Sequence, residues 1–208
     1  MTPNADPFTT LMDLAHGTLD PERTTLERRL SDMAGYYFAD PGSTKHAVEP
    51  RQGLGPRNLT EPCEGDDPLI YRVHMIPVAQ TNAEIQCSTT VLQPGRVGDE
   101  YYMTRGHFHA VRDRSEIYVG LAGEGRLVMA TEDGRHAVEP LGPGTVSYVP
   151  GGWAHRSVNV GRDRLVFFAA YIGDAGHDYS TIAERGLPVV VVAGDAGPEV
   201  VANPRYIA

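Results

Sequence analysis

From Leu69 onward the chain is a succession of short strand-like segments separated by turns that contain glycine or proline. Asp133-Gly134 is a tight hairpin signal, and Pro94-Gly95, Pro143-Gly144 and Pro150-Gly151-Gly152 separate other segments. The region shows no long helical period. Such spacing is typical of an antiparallel sandwich or jelly roll closed around a central pocket. We therefore predict an all-β fold with a few short helices.

The predicted strands cover 69–77, 83–92, 100–109, 116–122, 125–131, 135–141, 146–149, 155–160 and 165–171. An aromatic stretch at 36–38 is a further strand candidate, and 189–192 and 200–201 are candidate edge strands. One short helix is predicted at 177–185. Residues 41–67 are rich in proline, glycine and acidic residues, so we expect a long surface loop there.

Composition narrows the classes of protein to which the chain can belong. With 208 residues, one decorated domain is expected. Its 18 basic and 27 acidic residues give a net charge of −9, which argues against nucleic-acid binding. No apolar stretch is long enough for a membrane span, and the first residues do not resemble a secretory signal. We expect a cytoplasmic protein in which Cys63 and Cys87 are free thiols.

Two histidines, His107 and His109, lie two residues apart in a predicted strand. Residues at this spacing point to the same face of a strand, so both imidazoles can share one metal ion. Glu116 follows a charged run that we interpret as a turn, and His155 follows a proline–glycine turn further along. Three imidazoles and a carboxylate suit iron, manganese, nickel or zinc. The histidine pair alone is weak evidence, because most such pairs are surface or packed residues.

Two blocks around these residues resemble the two motifs of the cupin superfamily. The second block, 144–159, has the cupin spacing throughout, with Gly144, Pro150, Gly152, His155 and Asn159. The first block, 104–123, carries the histidine pair and then Glu116 with Gly123 after it, although the gap before the glutamate is longer than usual. This resemblance implies a double-stranded β-helix, or jelly-roll barrel. A cupin barrel with vestigial histidines is the alternative.

Four segments carry a closer resemblance, namely TRGHFHA at 104–110, EIY at 116–118, YVPGGWAHR at 148–156 and DAGHDYSTIAE at 174–184. Together they resemble the cupin-type phosphoglucose isomerases first known from archaea. The resemblance implies a homodimer that interconverts glucose 6-phosphate and fructose 6-phosphate with one divalent metal per chain, commonly iron(II). It also implies an N-terminal arm, 1–24, followed by a single cupin domain, 25–208.

The resemblance assigns a role to each candidate site residue. The implied metal ligands are His107, His109, Glu116 and His155. The implied phosphate pocket consists of Tyr71, Thr90, Thr104, Gly106 and Tyr171. Tyr118, His177 and Tyr179 are implied to surround the sugar, with Glu116, His177 and Tyr118 acting in catalysis. Whether Arg105 also faces the pocket stays open, because its side chain should point away from that of Thr104.

Aldose–ketose isomerisation moves hydrogen between C2 and C1 of the sugar. We predict proton transfer through a cis-enediol with Glu116 as the base. A direct hydride shift, with Glu116 only a ligand, is the alternative, because a cation beside a carboxylate weakens it as a base. Two other functions stay open, an iron-dependent cupin dioxygenase and a non-catalytic sugar-binding cupin. A dioxygenase would need an apolar substrate pocket, and a sugar sensor would need a partner domain.

Overall fold

The computed structural model describes residues 6–20, 24–38 and 67–207. Within these ranges the all-β prediction is confirmed, with one α-helix, α1 at Ser180–Arg185, and one 3-10 turn at Ser31–Met33. The strands are β1 Leu11–Met12, β2 Leu19–Asp20, β3 Thr24–Arg29, β4 Leu69–Met75, β5 Ile85–Leu92, β6 Arg96–Val97, β7 Glu100–Tyr101, β8 Glu116–Ala122, β9 Gly125–Thr131, β10 His136–Leu141, β11 Val146–Val149, β12 Trp153–Asn159, β13 Leu165–Ile172, β14 Val189–Gly194 and β15 Gly197–Ala202.

The strands form antiparallel sheets in which sequence neighbours are often separated in space. The largest has six strands in the order β11-β8-β13-β5-β4-β3. A three-stranded sheet has the order β10-β9-β12, and a four-stranded sheet has the order β15-β14-β7-β6. Strands β1 and β2 form a small hairpin. This interleaved order places segments that are distant in sequence, such as β8 and β12, on facing layers of one domain.

One hydrophobic core lies between the six-stranded and three-stranded sheets. Tyr118 and Phe167 of the larger sheet belong to the same buried cluster as Leu127 and Met129 of the smaller one. Burial alternates at the start of β8, where Tyr118 is buried and Ile117 is 43% exposed. The pleat of the strand therefore sends every second side chain of β8 toward the core, which is the layered arrangement expected of a jelly roll.

The predicted strands at 116–122, 125–131 and 146–149 are confirmed at the observed bounds of β8, β9 and β11. The single strand predicted at 100–109 is wrong, since only Glu100–Tyr101 forms β7. Gly106 has φ +72°, a left-handed conformation that interrupts an extended strand. The remainder of that segment runs beside β12 through the isolated bridges Met103↔Val158 and His107↔His155.

Three other sequence predictions concern a strand at 36–38, the short helix and the loop at 41–67. The strand predicted at 36–38 is wrong, because the preceding 3-10 turn continues and the Tyr36 amide donates to the Met33 carbonyl at 3.0 Å. The short helix is confirmed but begins at Ser180 rather than at 177, since Asp178 is held by a bridge to Phe108. The loop predicted at 41–67 lies outside the described residues except for its last position.

The N-terminal hairpin packs on the outer face of the six-stranded sheet. The Thr89 hydroxyl donates to the Gly17 carbonyl, and Gly17 lies against Val91 and Val166. The division into an arm, 1–24, and a cupin domain, 25–208, stays a prediction. Within the described ranges, no helix is long and apolar enough to cross a membrane.

Candidate active site

The four predicted metal ligands converge on one point in the core. One ligand atom each from His107, His109, Glu116 and His155 lies within 4.8 Å of the others. Glu116 Oε2 is 3.1 Å from His109 Nε2 and 2.9 Å from His155 Nε2. A carboxylate encircled by three imidazoles is a compact donor set that could hold a single cation.

Two layers of the fold deliver these ligands. His107 and His155 face each other in an antiparallel bridge, in which each backbone amide donates to the other residue's carbonyl at 3.2 and 3.0 Å. Glu116 is the first residue of β8 and pairs with Tyr171 of β13. Both strands belong to the six-stranded sheet, whereas His155 lies on β12 of the three-stranded sheet. The cluster therefore forms only when the two sheets pack against each other.

Hydrogen bonds outside the cluster fix how the imidazoles are turned. His109 Nδ1 lies 2.8 Å from the Arg114 carbonyl, and His155 Nδ1 lies 3.3 Å from the Trp153 carbonyl. Arg114 is itself held by both carboxylate oxygens of Asp174, at 2.7 and 2.9 Å. With each Nδ1 used in this way, Nε2 is the atom that points into the cluster, as is usual for metal-binding histidines.

His107 and Glu116 have the protonation states that bind a cation, whereas at His109 burial is outweighed by the hydrogen bond and the charge of Glu116, which raise the pKa of His109. Burial and the neighbouring histidines hold the pKa of His107 well below its usual value, so the imidazole is neutral. Burial by itself would raise the pKa of Glu116, but attraction to His155 and the hydrogen bond from His109 lower it to about 2. Nε2 of His107 is buried without a hydrogen-bond partner. An unpaired buried nitrogen beside an ionised carboxylate fits a divalent metal.

A cavity of about 240 Å³ adjoins the cluster. Residues from both predicted groups line it, namely Tyr71, Thr90, Thr104, Gly106, Tyr118, Tyr171, His177 and Tyr179, together with His107, Glu116 and His155. His109 is buried behind this wall. The structure thus brings every candidate residue to a single site, with the metal cluster on one wall.

The hydroxyl groups of this cavity are protonated donors. Burial raises the pKa of Tyr71 to about 12, and it also raises the pKa values of Tyr118, Tyr171 and Tyr179. The Thr104 hydroxyl accepts from the Ser157 amide at 3.0 Å, which leaves its own hydrogen available for another acceptor. A cluster of neutral O–H donors suits an anionic ligand.

Comparison with known proteins places this site in a family. The profile of the Glucose-6-phosphate isomerase (GPI) family matches residues 61–206. A glucose-6-phosphate isomerase of Pyrococcus horikoshii is 39% identical over 97% of each chain, and that of Thermococcus kodakarensis is 40% identical over 94% of each. The chain belongs to this glucose-6-phosphate isomerase family. The match spans nearly the whole length of this chain and of both relatives.

A bacterial glucose-6-phosphate isomerase, from Sinorhizobium medicae, is 33% identical and covers 89% of this chain and 80% of its own. Among solved structures, an oxalate oxidase in complex with the substrate analogue glycolate overlaps 56% of this chain and 58% of its own. That overlap has a TM-score of 0.46 at 14% identity and carries no argument about function.

Two aromatic residues reach this isomerase-family site from a separate segment. The His177 ring lies 4.4 Å from the His107 ring and stacks on Tyr179 at 5.7 Å with an interplanar angle of 7°. Asp178 between them exchanges backbone hydrogen bonds with Phe108 at 3.1 and 2.8 Å. Burial lowers the pKa of His177, which keeps that imidazole neutral. A neutral imidazole can accept and donate hydrogen bonds at once.

Several charged residues form hydrogen bonds beside the site that were not predicted from the sequence. Arg112 donates to the Asp178 carboxylate and to the His109 carbonyl, both at 2.6 Å. It thereby connects the segment that carries the ligand His109 to the segment that carries His177. The sequence predicts only a turn at 112–114, and the spacing of its arginines from the acids at 174 and 178 does not indicate that they pair. Arg105, whose direction was open, lines the cavity and donates to the Asp32 carbonyl at 2.6 Å.

Proposed function

We propose that this chain is a metal-dependent aldose–ketose isomerase that interconverts glucose 6-phosphate and fructose 6-phosphate. One observation carries the proposal beyond family membership. The cavity joins a four-residue metal-ligand cluster to a wall of hydroxyl donors. A sugar phosphate has the matching chemistry, since its reacting end needs charge stabilisation and its other end is a dianion. The dioxygenase alternative has no need of such a hydroxyl cluster, although apolar side chains, among them Val73 and Phe167, line part of the same cavity.

The phosphate group binds, in this proposal, among Tyr71, Thr90, Thr104 and Tyr171 and at the Gly106 amide. Neutral hydroxyls donate to phosphate oxygens without placing a fixed positive charge beside the metal. Phosphate held there directs the C1 and C2 end of the sugar toward Glu116. The family resemblance and the shared cavity support these assignments.

Three residues act on the reacting end of the sugar in this proposal, namely Glu116, His177 and Tyr118. A divalent cation, when bound by His107, His109, Glu116 and His155, stabilises the negative charge that develops on the substrate oxygens. Glu116 removes the C2 proton and returns it at C1. Neutral His177 and protonated Tyr118 hydrogen-bond the substrate hydroxyls and fix their orientation. The low pKa of Glu116, about 2, makes it a weak base, which keeps the hydride alternative in competition.

The metal is proposed to be iron(II), with manganese, nickel and zinc as alternatives. Imidazole and carboxylate donors suit all four ions, so the protein's geometry does not by itself select one. Elemental analysis of protein purified from its native source is the measurement that identifies the ion. The cytoplasmic location expected from the sequence stays a prediction.

A homodimer is also part of this proposal. Tyr148, Ile117, Ala170 and Cys87 form one row across the outer face of the six-stranded sheet. In that row Tyr148 is 61% exposed and Ile117 is 43% exposed, and nearby Val146 is 71% exposed. A contiguous exposed apolar face of this kind is typical of a protein interface. A second copy covering this face would remove these side chains from water.

Sedimentation of the wild type and of Ile117→Glu tests the dimer. The wild type should sediment at twice the chain mass, and the variant at the chain mass, because a buried unpaired carboxylate opposes association. A matched control is Glu139→Gln, an exposed change on β10. A monomeric wild type, or a variant as dimeric as the wild type, contradicts the proposed face.

The central experiment is a coupled assay. Fructose 6-phosphate is supplied, and glucose 6-phosphate is detected by its oxidation. The purified protein should be active, should lose activity after prolonged chelation, and should regain it with iron(II), manganese or nickel. Full activity in protein shown by elemental analysis to be metal-free would contradict the metal dependence, and no conversion by metal-loaded protein would contradict the isomerase itself.

A further inference from the structure

A buried arginine lies directly behind the phosphate end of the cavity. Arg156 is on β12, next to the ligand His155, and its side chain is only 3% exposed. Its guanidinium donates twice to the Arg105 carbonyl, from Nε at 3.2 Å and from Nη2 at 2.6 Å. A charged group this deeply buried is costly unless it has a specific task or partner.

The bond that Arg156 makes fixes a whole peptide unit. The Arg105 carbonyl and the Gly106 amide belong to the same planar peptide, in which C=O and N–H point in opposite directions. Two donors on the carbonyl therefore turn the Gly106 N–H away from Arg156. Gly106 is a lining residue of the cavity, and its N–H donates to no protein acceptor among the described residues. A buried amide without a protein partner is suited to a ligand oxygen.

A buried acidic residue interacts electrostatically with the arginine. Glu100 is 1% exposed, and its Oε2 accepts from the Phe38 amide at 2.9 Å. Burial raises the pKa of Glu100 to about 7, while the positive charges of Arg156 and Arg205 oppose that rise. Oε1 of Glu100 has no hydrogen-bond partner. With this pKa, Glu100 is ionised in part of the molecules at neutral pH and attracts the Arg156 guanidinium in that form.

The local backbone shows that this arrangement requires glycine at 106. Gly106 has φ +72°, and a Cβ built there would lie 3.1 Å from both Cβ and Nε of Arg156. Arg156 therefore packs directly against Gly106. This packing stabilises the left-handed conformation of Gly106 and leaves no room for a larger side chain at position 106.

We propose that Arg156 is a positioning residue that orients and polarises the Gly106 amide for the substrate's phosphate group. It acts through the Arg105–Gly106 peptide and does not touch the substrate. Two charged donors on the carbonyl withdraw electron density from the peptide, which strengthens the N–H as a donor to a dianion. The inference rests on the proposed function, because it assigns a ligand to the same cavity.

The test compares Arg156→Met and Arg156→Lys with the wild type and with Arg162→Met, a control at an exposed arginine outside the site. Three quantities are measured on metal-loaded protein. They are KM and kcat for fructose 6-phosphate, the dissociation constant of inorganic phosphate by calorimetry, and the metal content.

Arg156→Met should raise KM and the phosphate dissociation constant about tenfold, the size of one lost charge-assisted hydrogen bond. Its metal content and kcat should stay near the wild-type values. Arg156→Lys keeps the charge but not the two-donor geometry, so it should recover only part of the affinity. If Arg156→Met does not fold, Arg156→Lys carries the test alone, because it keeps a positive charge near Glu100.

Either of two results overturns the positioning role. One is wild-type phosphate affinity in folded Arg156→Met, and the other is full recovery in Arg156→Lys, since charge alone would then suffice. Failure of the proposed function gives a different pattern, in which the wild type itself neither binds phosphate nor converts the sugar phosphate.

Discussion

Replacing Gly106 with alanine tests the geometry of the site most directly. The residue has φ +72°, which costs about 1–2 kcal/mol for an L-residue with a side chain. The new Cβ would lie 3.1 Å from Arg156 Cβ and Nε and 3.2 Å from the His155 carbonyl. These neighbours are buried, so crowding adds about 1–3 kcal/mol. The total is about 2–5 kcal/mol, which lowers Tm by about 4–20 °C for a chain of this size.

The kinetic consequence of Gly106→Ala separates phosphate binding from chemistry. A displaced amide should raise KM for fructose 6-phosphate about tenfold or more, the worth of a hydrogen bond to a charged group. The metal content should not change, because no ligand side chain is removed. Differential scanning calorimetry gives Tm, the coupled assay gives KM and kcat, and elemental analysis gives the metal content.

Gly144→Ala is the matched control for this substitution. Gly144 also has a left-handed backbone, with φ +83°, but nothing lies within 4 Å of a Cβ built there. Gly144→Ala should lower the free energy of unfolding only by the cost of the left-handed backbone, about 1–2 kcal/mol, and should leave KM and kcat unchanged. Equal losses of Tm in the two variants, together with an unchanged KM in Gly106→Ala, would refute the reasoning.

Three further predictions concern the metal, the phosphate and the hydrogen that moves. His155→Ala should lose both bound metal and activity, whereas His136→Ala, at an exposed histidine on β10 that is not one of the four ligands, should keep both by elemental analysis and assay. Thr90→Val should raise KM for fructose 6-phosphate about tenfold with unchanged metal content, since the lost hydroxyl serves only the phosphate. Free fructose should be a very poor substrate of the wild type, and equal efficiency on free and phosphorylated sugars would count against the pocket. In heavy water, deuterium should appear at C1 of fructose 6-phosphate at early conversion if Glu116 carries a proton, and near-normal turnover of metal-loaded Glu116→Gln would rule that base out.

The sequence by itself determined the strand-rich fold, and its resemblance to a known family indicated the site residues that the structure brings to one cavity. Short segments bounded by Asp133-Gly134 and Pro150-Gly151-Gly152 can bury their apolar faces only as strands of packed sheets, so the all-β class followed from local signals. The histidine, glutamate and glycine spacings in 104–123 and 144–159 are local as well. They therefore indicated a ligand set before any tertiary contact was known.

Only the tertiary structure decided how those residues are held. Arg156 and Arg105 are 51 residues apart, and their contact exists because 102–109 runs beside β12, with bridges on both sides of the left-handed Gly106. Likewise, Arg112 meets Asp178 across 66 residues of chain. Such pairings depend on which layers of the fold face each other, and a charge pattern along one chain carries no information about that distance. The same reason explains why the predicted strand at 100–109 was wrong, because its continuation was set by packing against β12.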